Sequence, residues 1–265
     1  MGNILVYCKI VWYGLRSQFA YPINACFGLL NQFLSFFMEF LAMWALFAQF
    51  DEMCGWTLQE VFLTYGIINW AFAMAEVFMR GFESNMFSLV RNGEYDRYLL
   101  RPVNTIVQIS AFSFQLARLG RAIQAFIVLI VGIVINRNLI NSYEWLVLVY
   151  TIIAGCLLYF ALYMFVGIII FKITQNTEFM SVFIQGSVST MQYPMIAFPR
   201  WLQKLFTYVL PATTVTYFPI ATILDKPISI SPTIGYLVPG ICYLYFGLAL
   251  VIFRLVEKSY ISTGN

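Results

Sequence analysis

Glu39 stands inside the apolar run Ile23–Phe47, where a carboxylate must be paired or protonated because hydrocarbon does not solvate charge. That makes it the best single candidate for a substrate-facing or gating charge. Pairing with Arg118 or Arg121 is disfavoured by depth, since both enter their own apolar run from its basic end and can snorkel back. Glu76 lies closer to their level and is their expected partner. Further along, Ser181, Gln185, Ser189 and Gln192 recur at i, i+4, i+8 and i+11, which puts all four on one face of a helix. A polar stripe in an apolar segment needs water, cargo or another helix opposite it. A pathway-lining face and a polar helix–helix seam both meet that requirement.

The most polar stretch, residues 83–104, holds an amphipathic turn (Met86, Phe87, Leu89, Val90), then Gly93, then the charges Glu94, Asp96, Arg97 and Arg101. Such a segment suits docking onto a soluble partner, and it equally suits a solvated loop whose charges only set topology. Catalysis has little to work with. The chain has no histidine, no GxxxxGK[ST] loop, no GxSxG, no HExxH and no carboxylate metal pair within its apolar runs. Its five cysteines, Cys8, Cys26, Cys54, Cys156 and Cys242, include no CxxC and fit neither a disulfide framework nor a zinc site. A catalytic role is therefore not expected, nor a cofactor or metal in this chain.

The elements that must carry these residues follow from composition. Hydrophobic residues make up 61% of the 265 and charged residues 10%, which leaves too little polar surface to cover a soluble globule. The bilayer is the expected solvent, with membrane lipid as a partner. The net charge of +3 is dispersed, which excludes a nucleic-acid-binding stripe. Runs of the length a spanning helix needs, about 20 residues, lie at Ile23–Phe47, Gln59–Phe82, Leu116–Ile135, Trp145–Phe171, Phe179–Phe198 and Ile234–Phe253. The expected fold is thus an all-α membrane protein with six transmembrane helices, forming one domain over residues 1–265.

Pro211 and Pro219 argue against a further span in Trp201–Leu224, so residues 199–231 are expected to form an external re-entrant or interfacial element. Ile4, Leu5, Cys8, Val11, Trp12, Leu15 and Phe19 share one helical face opposite Lys9 and Arg16, which predicts an interfacial helix over residues 1–22. No cleavable leader or myristoylation signal is expected at the start. Counting Lys and Arg in the flanking segments puts eleven of the fifteen on one side if both termini and the 83–104 loop are cytoplasmic. Only Arg137, Arg200, Lys204 and Lys226 then fall outside.

The run Arg91-Asn92-Gly93-Glu94-Tyr95-Asp96-Arg97-Tyr98-Leu99-Leu100-Arg101-Pro102-Val103-Asn104 resembles the G-x-(L/Y)-D-x-(Y/L)-L-L-(R/K)-P signature of ABC type-2 exporter permeases. The later run Phe198-Pro199-Arg200-Trp201-Leu202-Gln203, with Leu210-Pro211 and Tyr217-Phe218-Pro219-Ile220, is similar to the external re-entrant element of the same branch, and the resemblance covers essentially the whole chain. It implies a permease that pairs with a second copy or a sibling permease, above two separate ABC-type ATPase subunits that bind ATP and Mg. It also implies that Gly93, Glu94, Asp96, Arg97, Arg101 and Pro102 belong to a cytoplasmic coupling region. A bacterial inner membrane and the export of a drug, lipid, peptide or glycan-lipid are expected on the same ground. An ion-coupled transporter or channel would instead need paired intramembrane charges in both halves. A membrane scaffold or biogenesis protein would need no ATPase.

Overall fold

A computed structural model describes residues 3–50, 52–173, 178–228 and 230–260. Helix α1 (Asn3–Phe19) ends in a turn, and Pro22 opens α2 (Pro22–Gln49) at a position where its missing N–H costs nothing. Leu5, Trp12 and Phe19 of α1 stay exposed, while Tyr7 packs against Phe78 of α3 (Leu58–Met79). Between α2 and α3, strands β1 (Glu52–Met53) and β2 (Trp56–Thr57) form a minimal hairpin. Cys54 and Gly55 turn it with φ of 53° and 80°, the left-handed pair that a two-residue hairpin turn requires.

The segment after α3 is built of short helices: α4 (Gly81–Ser84), α5 (Met86–Arg91), α6 (Asp96–Leu99) and α7 (Thr105–Phe112). Long helices α8 (Leu116–Asn136) and α9 (Glu144–Ile173) follow, then α10 (Glu178–Met191). The last elements are α11 (Arg200–Lys204), α12 (Tyr217–Ile223), α13 (Pro232–Leu237) and α14 (Gly240–Lys258).

Helix α3 lies at the centre, flanked by α8 and α9, with α2 outside α8 and α14 outside α9. Glycines set the closest of these contacts. A Cβ on Gly66 of α3 would lie 2.6 Å from the Cα of Leu129, and one on Gly132 of α8 would lie 2.9 Å from the carbonyl of Phe62. Each glycine thus admits the other helix's backbone, the means by which apolar helices associate where no hydrophobic effect drives them together. Among the described residues, five helical segments are long and apolar enough to cross a membrane: Pro22–Gln49, Leu58–Met79, Leu116–Leu139, Glu144–Ile173 and Pro232–Lys258.

The remaining expected span, Phe179–Phe198, differs. Its helix α10 has only 14 residues and stops at Met191, three residues before Pro194. Proline removes a donor and disfavours helix at the residue before it, so one apolar run is divided between a short helix and an irregular segment. The chain nevertheless travels the length of the bundle here. Ser181, near the start of α10, donates to Glu83, whereas Lys226 pairs with Glu60 at 2.7 Å and donates to the Gly55 carbonyl at 2.8 Å at the hairpin end.

Between these points the backbone passes through the protein interior. Thr213, Thr214 and Thr216 are buried, and their hydroxyls donate to the carbonyls of Phe206, Pro211 and Ala212. Val215 fills the notch left by Gly155 of α9, where a Cβ would sit 2.9 Å from it. Irregular backbone survives at this depth because protein, not lipid, surrounds it.

Candidate functional site

The 83–104 segment stands on buried footings with its charges outward. Met86, Leu89 and Val90 of α5 are buried, which leaves Phe87 partly covered and Arg91 over its ring at 5.7 Å. Gly93 takes φ +69° to end this helix, its N–H donating to the Val90 carbonyl. Glu94, Arg97, Arg101 and Pro102 are exposed, and Asp96, which opens α6, is partly buried. The Arg101 guanidinium lies 5.5 Å from the ring centre of Phe112 and 6.0 Å from that of Tyr98.

Beneath them Tyr95 is fully buried and donates to Glu257 of α14 at 2.7 Å. Thr105 donates to the same carboxylate oxygen, and Arg254 pairs with the other at 2.8 Å. Burial, and then the Glu257 carboxylate, raise the Tyr95 phenol well above its ordinary range, so it remains a donor at any physiological pH. The end of α14 thereby fastens the segment to the bundle. Nothing in the sequence pointed to Glu257, because its partners lie more than 150 residues away; only the i,i+3 spacing from Arg254 is a local signal.

A chain of ion pairs runs inward from this segment. Arg80 bridges Glu83 at 3.0 Å and Glu76 at 3.3 Å, and also donates to the Tyr163 hydroxyl at 3.2 Å. Arg118 donates to the Glu76 carbonyl at 3.1 Å. Arg121 reaches Glu76 at 3.5 Å and, with its other terminal nitrogen, Glu39 at 3.8 Å, while its guanidinium lies 4.7 Å from the ring centre of Phe72. Glu39 also accepts from Gln192 at 3.4 Å. Three carboxylates face three guanidiniums in this cluster, so its formal charge is zero, the condition under which ions persist in a low-dielectric interior.

Glu76 is the hub, as expected, but depth does not keep Arg121 from Glu39. The Cα–Cβ bond of a helical residue tilts towards the helix N-terminus. Along α2 that direction leads from Glu39 down towards Arg121, and Arg121 extends inward along Phe72 instead of snorkelling out. The Glu39 side chain keeps 43% of its surface open.

The polar stripe of α10 is split by the same cluster. Ser181 and Gln192 are bonded to Glu83 and Glu39, so the two ends of α10 are held by opposite ends of one ionic chain. Ile184, Ser187, Val188 and Met191 form the buried face of α10, with Ser187 bonded to Tyr159 of α9 at 2.9 Å. Gln185 and Ser189 lie on the opposite, open face with Val182, and a Cβ added at Gly186 would meet nothing within 4 Å.

The structure is that of a multi-pass helical membrane protein with a charged, protein-anchored segment at one end. The chain matches the ABC-2 family transporter proteins over residues 33–264 and belongs to that family. It is therefore an ABC transporter permease, and membership implies association with an ABC ATPase subunit. No curated protein and no solved structure gives a match.

Proposed function

We propose that the chain is one half of a dimeric ABC exporter in a bacterial inner membrane, forming a single six-crossing domain over residues 1–265 with both termini cytoplasmic. The fifth crossing is composite in this reading: α10 rises part of the way, and the re-entrant segment 199–231 completes the passage externally. Residues 1–22 lie along the cytoplasmic leaflet. Two ATPase subunits, which carry the ATP and Mg, dock on Gly93, Glu94, Asp96, Arg97, Arg101 and Pro102. The open α10 face, with Gln185 and Ser189, meets the second permease or the cargo, a hydrophobic or amphipathic molecule moved outward by alternating access.

One observation carries this reading: the docking segment is joined by ion pairs to Glu39, and hydrogen bonds from Ser181 and Gln192 tie the two ends of that ionic chain to α10. Closure of the ATPases beneath the segment then has a mechanical connection to the pathway. An ion-coupled carrier fits less well, because the ion-pair cluster that joins the helices comes wholly from residues 39–121, and the described pair on the last helix, Arg254–Glu257, lies at that helix's end.

The test is purification of the tagged chain from its native membrane in mild detergent, with ATP hydrolysis assayed. A cassette ATPase at stoichiometric amount is expected. The double variant Glu94→Lys/Asp96→Lys should lose it while still eluting as a single folded species, and a partner retained undiminished by that variant would refute the docking assignment.

A further inference from the structure

The end of α1, the start of α2, the α4–α5 joint and the break between α7 and α8 line an open cleft of about 620 Å³, in which Tyr21, Asn24, Phe112 and Gln115 are exposed. Ligand sites commonly fall between about 300 and 1,000 Å³. Its shape rests on one side chain. The backbone between α7 and α8 leaves groups that need partners, and Gln18 supplies two, its Nε2 donating to the Phe114 carbonyl at 3.0 Å and its Oε1 accepting from the Leu116 N–H at 2.8 Å.

The cleft has the chemistry of a neutral polar site. Asn24, Asn85 and Gln115 line it beside the aromatic rings of Tyr21 and Phe112, and no Lys, Arg, Asp or Glu is among its lining residues. The side chains of Asn24 and Gln115 form no hydrogen bond within the described chain. Two apolar slots open from the same walls. One shares Tyr21 and Asn24 and continues over Pro22, Ile23 and Phe27; the other shares Phe112 and continues over Ile10 and Tyr13.

We propose that this cleft binds a membrane lipid carrying an uncharged sugar headgroup, with the sugar in the polar cleft and the acyl chains in the two slots. Side-chain amides offer a donor and an acceptor together, which matches vicinal hydroxyls. Aromatic faces cover the C–H surface of a sugar ring. No lining residue offers a cation to a phosphate headgroup; the Arg101 guanidinium lies over the Phe112 ring at 5.5 Å but is not among the residues that line the cleft. A free sugar would leave both apolar slots empty. Ser84 and Asn85 place the cleft at the docking-segment end, so the lipid is drawn from the cytoplasmic leaflet; the leaflet alone rests on the proposed topology.

The full-length protein in phosphatidylcholine nanodiscs, doped with either a monoglucosyl diacylglycerol or phosphatidylglycerol at equal mole fraction, tests this by native mass spectrometry. The glucolipid should be retained about tenfold better than phosphatidylglycerol. Asn24→Leu and Gln115→Leu should abolish that preference while eluting as single, unshifted species, and Gln59→Leu, at the other end of the bundle, should preserve it. Equal retention of the two lipids, or a preference that survives both cleft variants, overturns the proposal, as does displacement of the glucolipid by free glucose. ATPase binding does not enter the readout, so failure of this site and failure of the exporter reading are separately visible.

Discussion

Arg121 serves two carboxylates at once, and removing it would leave buried Glu76 with Arg80 as its ion-pair partner and the partly open Glu39 with the Gln192 amide. Deleting one partner of a fully buried pair costs about 3–5 kcal/mol, which is an upper bound here because Glu76 keeps Arg80 and the Glu39 side chain is 43% open. Arg121→Met should therefore lower the unfolding temperature more than any other single change in the cluster. Adding Glu76→Gln should recover part of the loss, with a coupling of about 0.5–3 kcal/mol in a double-mutant cycle. Thermal unfolding of the four proteins in one detergent measures it, and strict additivity would show that the pair is not an energetic unit. Glu76 and its arginines were legible as a set from their shared level in neighbouring runs. The Glu39 contact was not, because it depends on side-chain direction along two helices, which spacing alone does not encode.

At the scale of helices, the contact between α3 and α8 depends on two glycines, Gly66 against the backbone of Leu129 and Gly132 against that of Phe62 and Leu63. Overpacking a well-fitted contact costs about 1–3 kcal/mol, and here the obstacle is main chain that cannot rotate aside. Gly132→Val should destabilise the fold by at least that much and reduce the folded yield from membranes. Gly247→Ala on α14 is the matched contrast. Its new methyl meets nothing within 4 Å, so the helix should gain about 0.5–1 kcal/mol from the lost flexibility of glycine. Unfolding midpoints that move together in the two variants would mean that glycine content, not close approach, governs the contact.

Helices of this kind were largely readable in advance, since hydropathy over about 20 residues picks out a span whatever its neighbours. It fails where an apolar run is not one helix. Pro194 divides the run beginning at Phe179, and α7, with eight residues, is too short to register although Asn104 caps it through a bond from the Ile106 N–H.

For the whole molecule, the consequence lies in how α10 is held. One face packs on α9 while its two ends are clasped by Glu83 and Glu39, which belong to a single ionic chain beginning at the proposed docking segment. A displacement of that segment has a route to each end of α10, directly through Glu83 and, through Arg80, Glu76 and Arg121, by way of Glu39. Gln192→Glu tests this, because it sets a second carboxylate where an amide now donates to Glu39 at 3.4 Å, and like charges at that separation repel. With the upper clasp forced open, the ATPase should still bind and hydrolyse ATP, while transport falls by about tenfold, a barrier change of about 1.4 kcal/mol. Gln192→Leu removes the hydrogen bond without adding charge and should do less. If both variants transported at the original rate with the ATPase still coupled, the clasp would be a packing detail and α10 would not be the element that the ATPases move.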